Sequence, residues 1–337
     1  CDGLIRLKVE KTSGTSGGLV NCKVIDGGVV SERKGVNVPH TVVNLPAVGE
    51  EDMIALKHAM KHGADFIAVS YVRSAEDLTP VNSAIKESGL HTWVVAKIEH
   101  PAALEKLSDI LANCDAVMVA RGDLGVEIPL EKVPAAQEMI VQEGLARGLP
   151  VIIATQMLES MIENPRPTRA EVTDVATAIR QGASCIMLSG ETATGAHPVA
   201  TVETMAKIAV SVEEENRKLG HPPALSNYQS TRAVANAGVE LAKGAGVNRL
   251  FVATEHATAP RLVAAYRPDI AVTAMTHRRR ATRKTTILRG VDTVLVEEEK
   301  RSKATIQSAI EIMLEDGRLI KGSKVVAVTG SPLAMSG

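Results

Sequence analysis

Val94–His100 reads VVAKIEH, and three later segments repeat its form: Val117–Gly125 (VMVARGDLG), Val151–Met157 (VIIATQM) and Cys185–Glu191 (CIMLSGE). Each is an apolar run that stops abruptly at polar or charged residues. A strand buried on both faces reads as a near-continuous apolar run. The pattern therefore predicts parallel strands whose ends deliver side chains to a shared mouth. Lys97, Glu99, Asp123, Thr155 and Glu191 stand at such ends. A cation, carboxylates and a hydroxyl converging there suit a divalent metal and an anionic substrate.

Helical signals separate the runs. Met53, Leu56 and Met60 form a stripe that stops at Gly63, ahead of a strand at Phe66–Val69. Ser74–Ser88 reads as a helix before the strand Trp93–Ala96. Pro101 suits the first turn of a helix carrying Leu104, Leu107 and Leu111, and Ala116–Val119 follows as a strand. Pro134–Arg147 reads as a helix closed by Gly148, before Val151–Ala154. Thr168-Arg169-Ala170-Glu171 fits a capping box, Val172, Val175, Ala176 and Ile179 supply the stripe, and Gly182 ends it. Cys185–Leu188 is the last strand of the series, and Val199–Leu219 a long amphipathic helix. These make a run of βα units of about thirty residues each. Such a run builds a doubly wound sheet or a (β/α)8 TIM barrel. The polar strand ends favour the barrel, whose active sites lie at that face. Five units do not close eight strands. Either three more lie upstream of Cys1, or the barrel reading fails.

The flanks read differently. Leu4–Val9 and Leu19–Ile25 are strand-like, split by the Gly/Ser-rich turn Ser13–Gly18, so residues 1–41 are expected to be the remainder of a β-rich domain. Residues 42–220 hold the partial barrel, and 221–230, with its Pro-Pro pair, reads as a linker. Residues 231–337 form a second α/β domain with strands expected at Arg249–Ala253, Ile270–Thr273, Thr293–Val296 and Lys324–Thr329.

Composition narrows the functional classes. The net charge of −1 gives no drive toward nucleic acid or an anionic membrane, and 2% aromatics argues against a base-stacking platform. Cys1, Cys22, Cys114 and Cys185 form no C-x-x-C pair and read as small buried hydrophobes of a reducing compartment. No apolar run nears a membrane span and no signal peptide is visible, so the expected localisation is cytoplasmic. The chain opens inside a strand, and is read as a fragment.

Several residues have two readings. Lys97 and Glu99, two apart on a strand, face the same way; alone, AKIEH is more often a solvated pair. Gly122 and Gly125 permit backbone N–H groups to point at an anion, helped by a helix expected near Pro129. Asp123 is a metal ligand or an ordinary turn aspartate. With Glu99 it leaves room for water and substrate oxygens, as Mg²⁺ requires. Thr155 holds a carboxylate or only ends a strand. Ser189 and Glu191 set a water or orient neighbours. Met157, Leu158 and Met161 read as packing. Arg278–Arg280 with Arg283 and Lys284 read first as a solvated face, second as a phosphate-effector site. His residues show no H-x-x-x-H spacing, so zinc is not expected.

Together these segments resemble the pyruvate kinase family. VVAKIEHPAA (Val94–Ala103), MVARGDLGVEIP (Met118–Pro129), ATQMLESM (Ala154–Met161), PRPTRAEVTDVA (Pro165–Ala176) and CIMLSGET (Cys185–Thr192) match family blocks in order and spacing. KGVNVP (Lys34–Pro39) and LPAVGEED (Leu45–Asp52) match the return from the family's lid domain to its barrel. The resemblance implies that Glu99 and Asp123 bind Mg²⁺, with Mn²⁺ possible. It implies that Gly122, Asp123 and Thr155 hold the carboxylate of phosphoenolpyruvate. Lys97 would stabilise the moving phosphoryl group and the enolate, and Lys34 would reach ADP or ATP. Thr155, Ser189 and Glu191 would relay the proton that yields pyruvate.

It implies K⁺ as well, with ligands upstream of this chain, and a homotetramer with no membrane or nucleic-acid partner. Three barrel strands and most of the lid are expected before Cys1, and the final carboxy-terminal strand is expected to be incomplete, so the isolated chain is expected to be nearly inactive. His100 stands where the family usually has Asn. Thr254–Pro260 lacks the glycine and two hydroxyls of the usual effector loop, so a sugar-bisphosphate effector is not expected to bind there in the usual way. Two rival readings are another Mg²⁺-dependent phosphoenolpyruvate/pyruvate-barrel lyase, and a non-catalytic fragment or paralogue that acts as a binding partner.

Overall fold

The computed structural model describes residues 3–14, 17–32, 35–39, 41, 45–219, 230–298 and 302–329. Strands β1 (Arg6–Ser13) and β2 (Leu19–Asp26) pair antiparallel, and both are exposed along almost their whole length. The first runs four residues beyond the expected Val9 end. A Cβ on Gly18 would lie 1.7 Å from the Ser13 carbonyl oxygen, so this turn requires glycine.

Helix α1 (Glu50–Lys61) leads into five parallel strands: β3 (Phe66–Val69), β4 (Trp93–Ile98), β5 (Ala116–Ala120), β6 (Val151–Ala154) and β7 (Cys185–Ile186). Between them run α2 (Thr79–Ser88), α3 (Pro101–Glu105), α4 (Leu107–Ala112), α5 (Arg121–Glu127), α6 (Val133–Ala146) and α7 (Arg169–Gln181). Helices α8 (Gly190–Ala193) and α9 (Pro198–Leu219) follow β7. The strands are hydrogen-bonded in chain order. A doubly wound sheet reverses its order at a switch point. This order never reverses, so right-handed crossovers carry every helix to one face, as in a barrel. Val94, Ala96 and Ile98 pack on that face with Leu78, Ile110, Ile140 and Ile179. Val95, Met118 and Ala154 cover the other face. By the two-residue period of a strand, Lys97 and Glu99 share the side of Val95.

Three local expectations change. The helix expected through Leu104–Leu111 breaks at Lys106 into α3 and α4. The Cys185–Leu188 strand pairs only over Cys185–Ile186. The Arg121–Gly125 stretch is not a loop: it is helix, beginning directly after β5, and the next α-helix starts at Val133 rather than near Pro129. The capping signals hold. The Thr168 hydroxyl accepts the Glu171 N–H, Glu171 accepts the Thr168 N–H, and Gly182 closes α7 at φ 117°. His100 caps α3, its Nδ1 accepting the Ala102 N–H at 3.1 Å.

The second unit holds α10 (Ser230–Gly244), β8 (Arg249–Ala253), α11 (Thr258–Ala265), β9 (Ala271–Thr276), α12 (Arg279–Lys284), β10 (Val291–Leu295), α13 (Ser302–Glu315) and β11 (Val326–Val328). Its parallel order β10-β9-β8-β11 does reverse. Accordingly α10 and α11 pack on one face and α13 on the other. The expected strands are all present, with β9 reaching three residues further and β11 shortened at both ends. Most of the expected linker, 221–229, lies outside the described residues.

This unit docks on the amino ends of the barrel strands. Asp65, just before β3, pairs with Arg280 at 3.4 Å and with Arg283. Arg261 meets Asp115 at 3.5 Å. Lys284 donates to the His91 carbonyl, and its ammonium lies 5.2 Å from the Trp93 ring centroid. Lys284 is 1% exposed, and burial depresses its ammonium to about 8. Part of the basic cluster read as a solvated face is thus a docking element. Cys22 is exposed rather than buried; burial pushes the Cys114 thiol up to about 12 and the Cys185 thiol up to about 11.

Candidate active site

The carboxyl ends of β3 to β7 open away from the docked unit. Lys97, one residue from the end of β4, places its ammonium 2.7 Å from one Glu99 oxygen and 2.9 Å from the Ser70 hydroxyl. Glu99 is 1% exposed. Its second oxygen accepts the Tyr71 N–H at 2.6 Å. A buried carboxylate needs such pairing to stay charged. Each oxygen still has a lone pair free, since a carboxylate offers about four acceptor sites.

Asp123 lies in the first turn of α5, on the neighbouring strand end. Both carboxylates act on the Tyr71 hydroxyl. Burial raises its pKa above the ordinary value, the Asn37 hydrogen bond opposes this, and Asp123, Glu99 and Glu127 raise it further. Among the described residues no three His, Cys, Asp or Glu form a metal-binding group. Two hard carboxylates with spare lone pairs fit a cation that keeps its remaining positions for water and substrate oxygens, as Mg²⁺ does.

Thr155 follows β6 with φ 70°, and Gln156 follows with φ 55°. The left-handed region is costly for a β-branched residue. Three contacts hold Thr155 there. Its hydroxyl accepts the Gly122 N–H at 2.8 Å and donates to the Ala154 carbonyl at 2.6 Å, while Arg121 grips its own carbonyl at 2.7 Å. A Cβ on Gly122 would meet the Thr155 hydroxyl at 3.4 Å, an ordinary van der Waals contact, so this approach does not by itself demand glycine. Arg121 also pairs with Asp174 at 2.7 Å, tying α5 to α7.

Glu191 is 2% exposed. One oxygen accepts the Leu158 N–H at 3.2 Å and the other the Ser189 N–H at 2.7 Å, so it braces the segments after β6 and β7. Ser189 is half-buried at the start of α8. Met157, Leu158 and Met161 are fully buried, as a packing role requires. Lys34 lies outside the described residues.

The structure thus brings together Lys97 with Glu99, and Gly122 with Thr155. It adds residues that sequence reasoning missed. Ser70 and Tyr71 end β3 as the four quoted segments end theirs, so FIAVSY carried the same signal. Asn37 donates to the Tyr71 hydroxyl at 3.0 Å and to Glu127 at 3.1 Å. That contact joins the chain entering the barrel to the mouth, and nothing local in sequence marked it.

Residues 1–202 match the family model described as the pyruvate kinase barrel domain, and residues 232–337 match its alpha/beta domain. A relative from Dictyostelium discoideum named pyruvate kinase is 38% identical over 98% of this chain and 66% of its own length. Another pyruvate kinase, from Geobacillus stearothermophilus, is 38% identical over 100% of this chain and 58% of its own length. The chain therefore spans less than two thirds of these relatives. The solved structure of a pyruvate kinase from Cryptosporidium parvum superposes with a TM-score of 0.88 at 33% identity, covering 98% of this chain and 69% of that one.

Proposed function

The chain belongs to the pyruvate kinase family, and from that premise we propose that its barrel site transfers the phosphoryl group of phosphoenolpyruvate to ADP. A terminal phosphate oxygen of ADP forms the new bond at phosphorus, and the bond to the enol oxygen breaks. The enolate left behind takes a proton at its methylene carbon and becomes pyruvate. The observation that carries this reading is the pairing of Lys97 with buried Glu99 at one strand end, two strands from the Thr155–Gly122 contact.

Lys97 places a fixed positive charge where the phosphoryl and enolate charges develop. Such preorganised charge is the main need of phosphoryl transfer. The Gly122 and Asp123 backbone and the Thr155 hydroxyl are proposed to hold the substrate carboxylate, for which the Gly122 N–H turns from the Thr155 oxygen and the Thr155 proton from the Ala154 carbonyl when substrate enters. Glu99 and Asp123 would hold Mg²⁺, or Mn²⁺ in its place; when bound, the metal neutralises phosphate oxygens. K⁺ is proposed as a second cation on family grounds. Glu191 positions the Ser189 and Leu158 backbones, and with Thr155 and Ser189 borders the proton path. Lys34 is proposed to meet the nucleotide. The same reading proposes residues 1–41 as lid, 42–220 as barrel, 221–230 as linker and 231–337 as a carboxy-terminal domain, in a cytoplasmic homotetramer.

The test is pyruvate formation from phosphoenolpyruvate and ADP by the intact protein. Lys97→Met should lower kcat about 10³-fold with far-UV circular dichroism unchanged. Glu99→Gln should weaken Mn²⁺ binding followed by electron paramagnetic resonance. Wild-type rates in Lys97→Met, or pyruvate released by carbon–carbon cleavage without nucleotide, would sink the reading.

A further inference from the structure

Glu127 ends α5 and is 8% exposed. Among the described residues its carboxylate has one hydrogen-bond partner, the Asn37 amide at 3.1 Å. An ionised carboxylate only accepts, so Asn37 must turn its NH2 group toward Glu127. The second hydrogen of that group goes to the Tyr71 hydroxyl at 3.0 Å. A buried carboxylate left without its donor is costly, so Glu127 holds the amide in this orientation. Val36 and Val38, on either side of Asn37, are exposed. Apolar packing therefore does not secure this segment on the mouth, and the two hydrogen bonds of Asn37 do.

Tyr71 joins this clamp to the candidate active site. Its φ is 51°, and a bulky residue in the left-handed region is an outlier that its surroundings must hold. Its N–H donates to Glu99 at 2.6 Å, while the preceding Ser70 hydroxyl accepts from the Lys97 ammonium at 2.9 Å. The end of β3 thus fixes Lys97 and Glu99 through Ser70 and the Tyr71 backbone, and the entering chain through the Tyr71 hydroxyl. The phenol stays protonated near neutral pH: burial first, then Asp123, Glu99 and Glu127, hold its pKa above the ordinary value against the Asn37 hydrogen bond. The clamp therefore does not titrate there.

We propose that Tyr71 is a positioning residue for the nucleotide: its hydroxyl and Glu127 together clamp Asn37, and this sets where the return segment of the lid crosses the mouth bearing Lys97 and Glu99. In the kinase reading, on which this role rests, Lys34 meets ADP. Three residues of chain span at most about 11 Å, so a fixed Asn37 confines the approach of Lys34. A tyrosine that only filled space would be replaced by phenylalanine without effect.

The test is Tyr71→Phe in the intact protein, which keeps the ring and the backbone N–H and removes the hydroxyl. Pyruvate formation at varied ADP should show KM for ADP raised about fivefold, the worth of one hydrogen bond. KM for phosphoenolpyruvate and kcat should each change less than about twofold, since the Lys97 and Thr155 contacts are kept. Asn37→Ala should raise KM for ADP at least as much, and the double variant should be no worse than Asn37→Ala alone, because the hydroxyl acts through Asn37. Amide hydrogen exchange followed by mass spectrometry should speed up over residues 35–39 in Tyr71→Phe and stay as in wild type over α7. A wild-type KM for ADP in Tyr71→Phe, equal rises in both KM values, or effects that multiply in the double variant would overturn the proposal. If wild type forms no pyruvate, the kinase reading fails, and unaltered exchange over 35–39 would then overturn the clamp by itself.

Discussion

Thr155 concentrates the cost and the purpose of the site in one residue. A β-branched side chain in the left-handed region costs about 1–3 kcal/mol, and three hydrogen bonds hold it. Valine has the same shape without the acceptor. Thr155→Val should therefore leave the Gly122 N–H unsatisfied, lower stability by about 1–3 kcal/mol in urea, and lower kcat about 10²-fold. Thr155→Ser should retain most of both. Equal rates in Val and wild type would remove the hydroxyl from the site.

Lys284 makes a prediction in pH. Its folded pKa of about 8 lies below the ordinary lysine value of 10.5. Between those values the unfolded chain binds more protons, so stability rises with pH. Burial of the charge therefore costs stability below pH 8, and the cost is relieved above it. The stability difference between wild type and Lys284→Met should shift toward wild type by about 1 kcal/mol from pH 8 to pH 9. A difference that stays flat or falls would contradict the depressed ammonium.

Among elements, α7 was the most legible because its signals are local. Thr168, Glu171 and Gly182 lie within one helix and its ends. Glu171 does more than close the box: it also accepts from the Ser160 N–H at 2.7 Å and hydroxyl at 2.6 Å, anchoring the preceding loop. Thr168→Ala should cost about 1 kcal/mol, and Glu171→Ala more, since it releases both ends of that loop. Urea unfolding measures both, and equal losses would deny Glu171 the second role. Helix α5 was misread for the opposite reason. Gly122 and Gly125 signal a loop by propensity, but Arg121 is tied to Asp174 on α7 and to the Thr155 carbonyl. Tertiary contacts outweigh two glycines.

At the scale of the molecule, the single tryptophan is a natural reporter. Trp93 is 5% exposed and packs with Ala257, Ala264 and Leu288 of the second unit, below Arg261 and Lys284. Its emission should shift to the red when the seam between the two units opens. Asp65→Ala removes the partner of Arg280 and Arg283, and should bring that shift to lower urea while the loss of helical circular dichroism moves less. Coincident movement of the two signals would mean that the units unfold as one.

The sequence by itself determined where the strands lie, most of the helices between them, the caps of α7, and the polar strand ends bearing Lys97, Glu99, Asp123 and Thr155. These follow from periodicity and residue chemistry, which act over a few positions. The family blocks were equally legible, because they are contiguous. Only the tertiary structure decided that the five strands pair without reversal, since crossover direction is set by how helices pack on a sheet. It alone brought Glu99 to the Tyr71 N–H and Thr155 to the Gly122 N–H, and turned Glu191 inward as a brace. It also turned much of the basic run 278–284 from a solvated face into one wall of a seam. Each depends on residues far apart in the chain, whose meeting is governed by burial and charge pairing across elements.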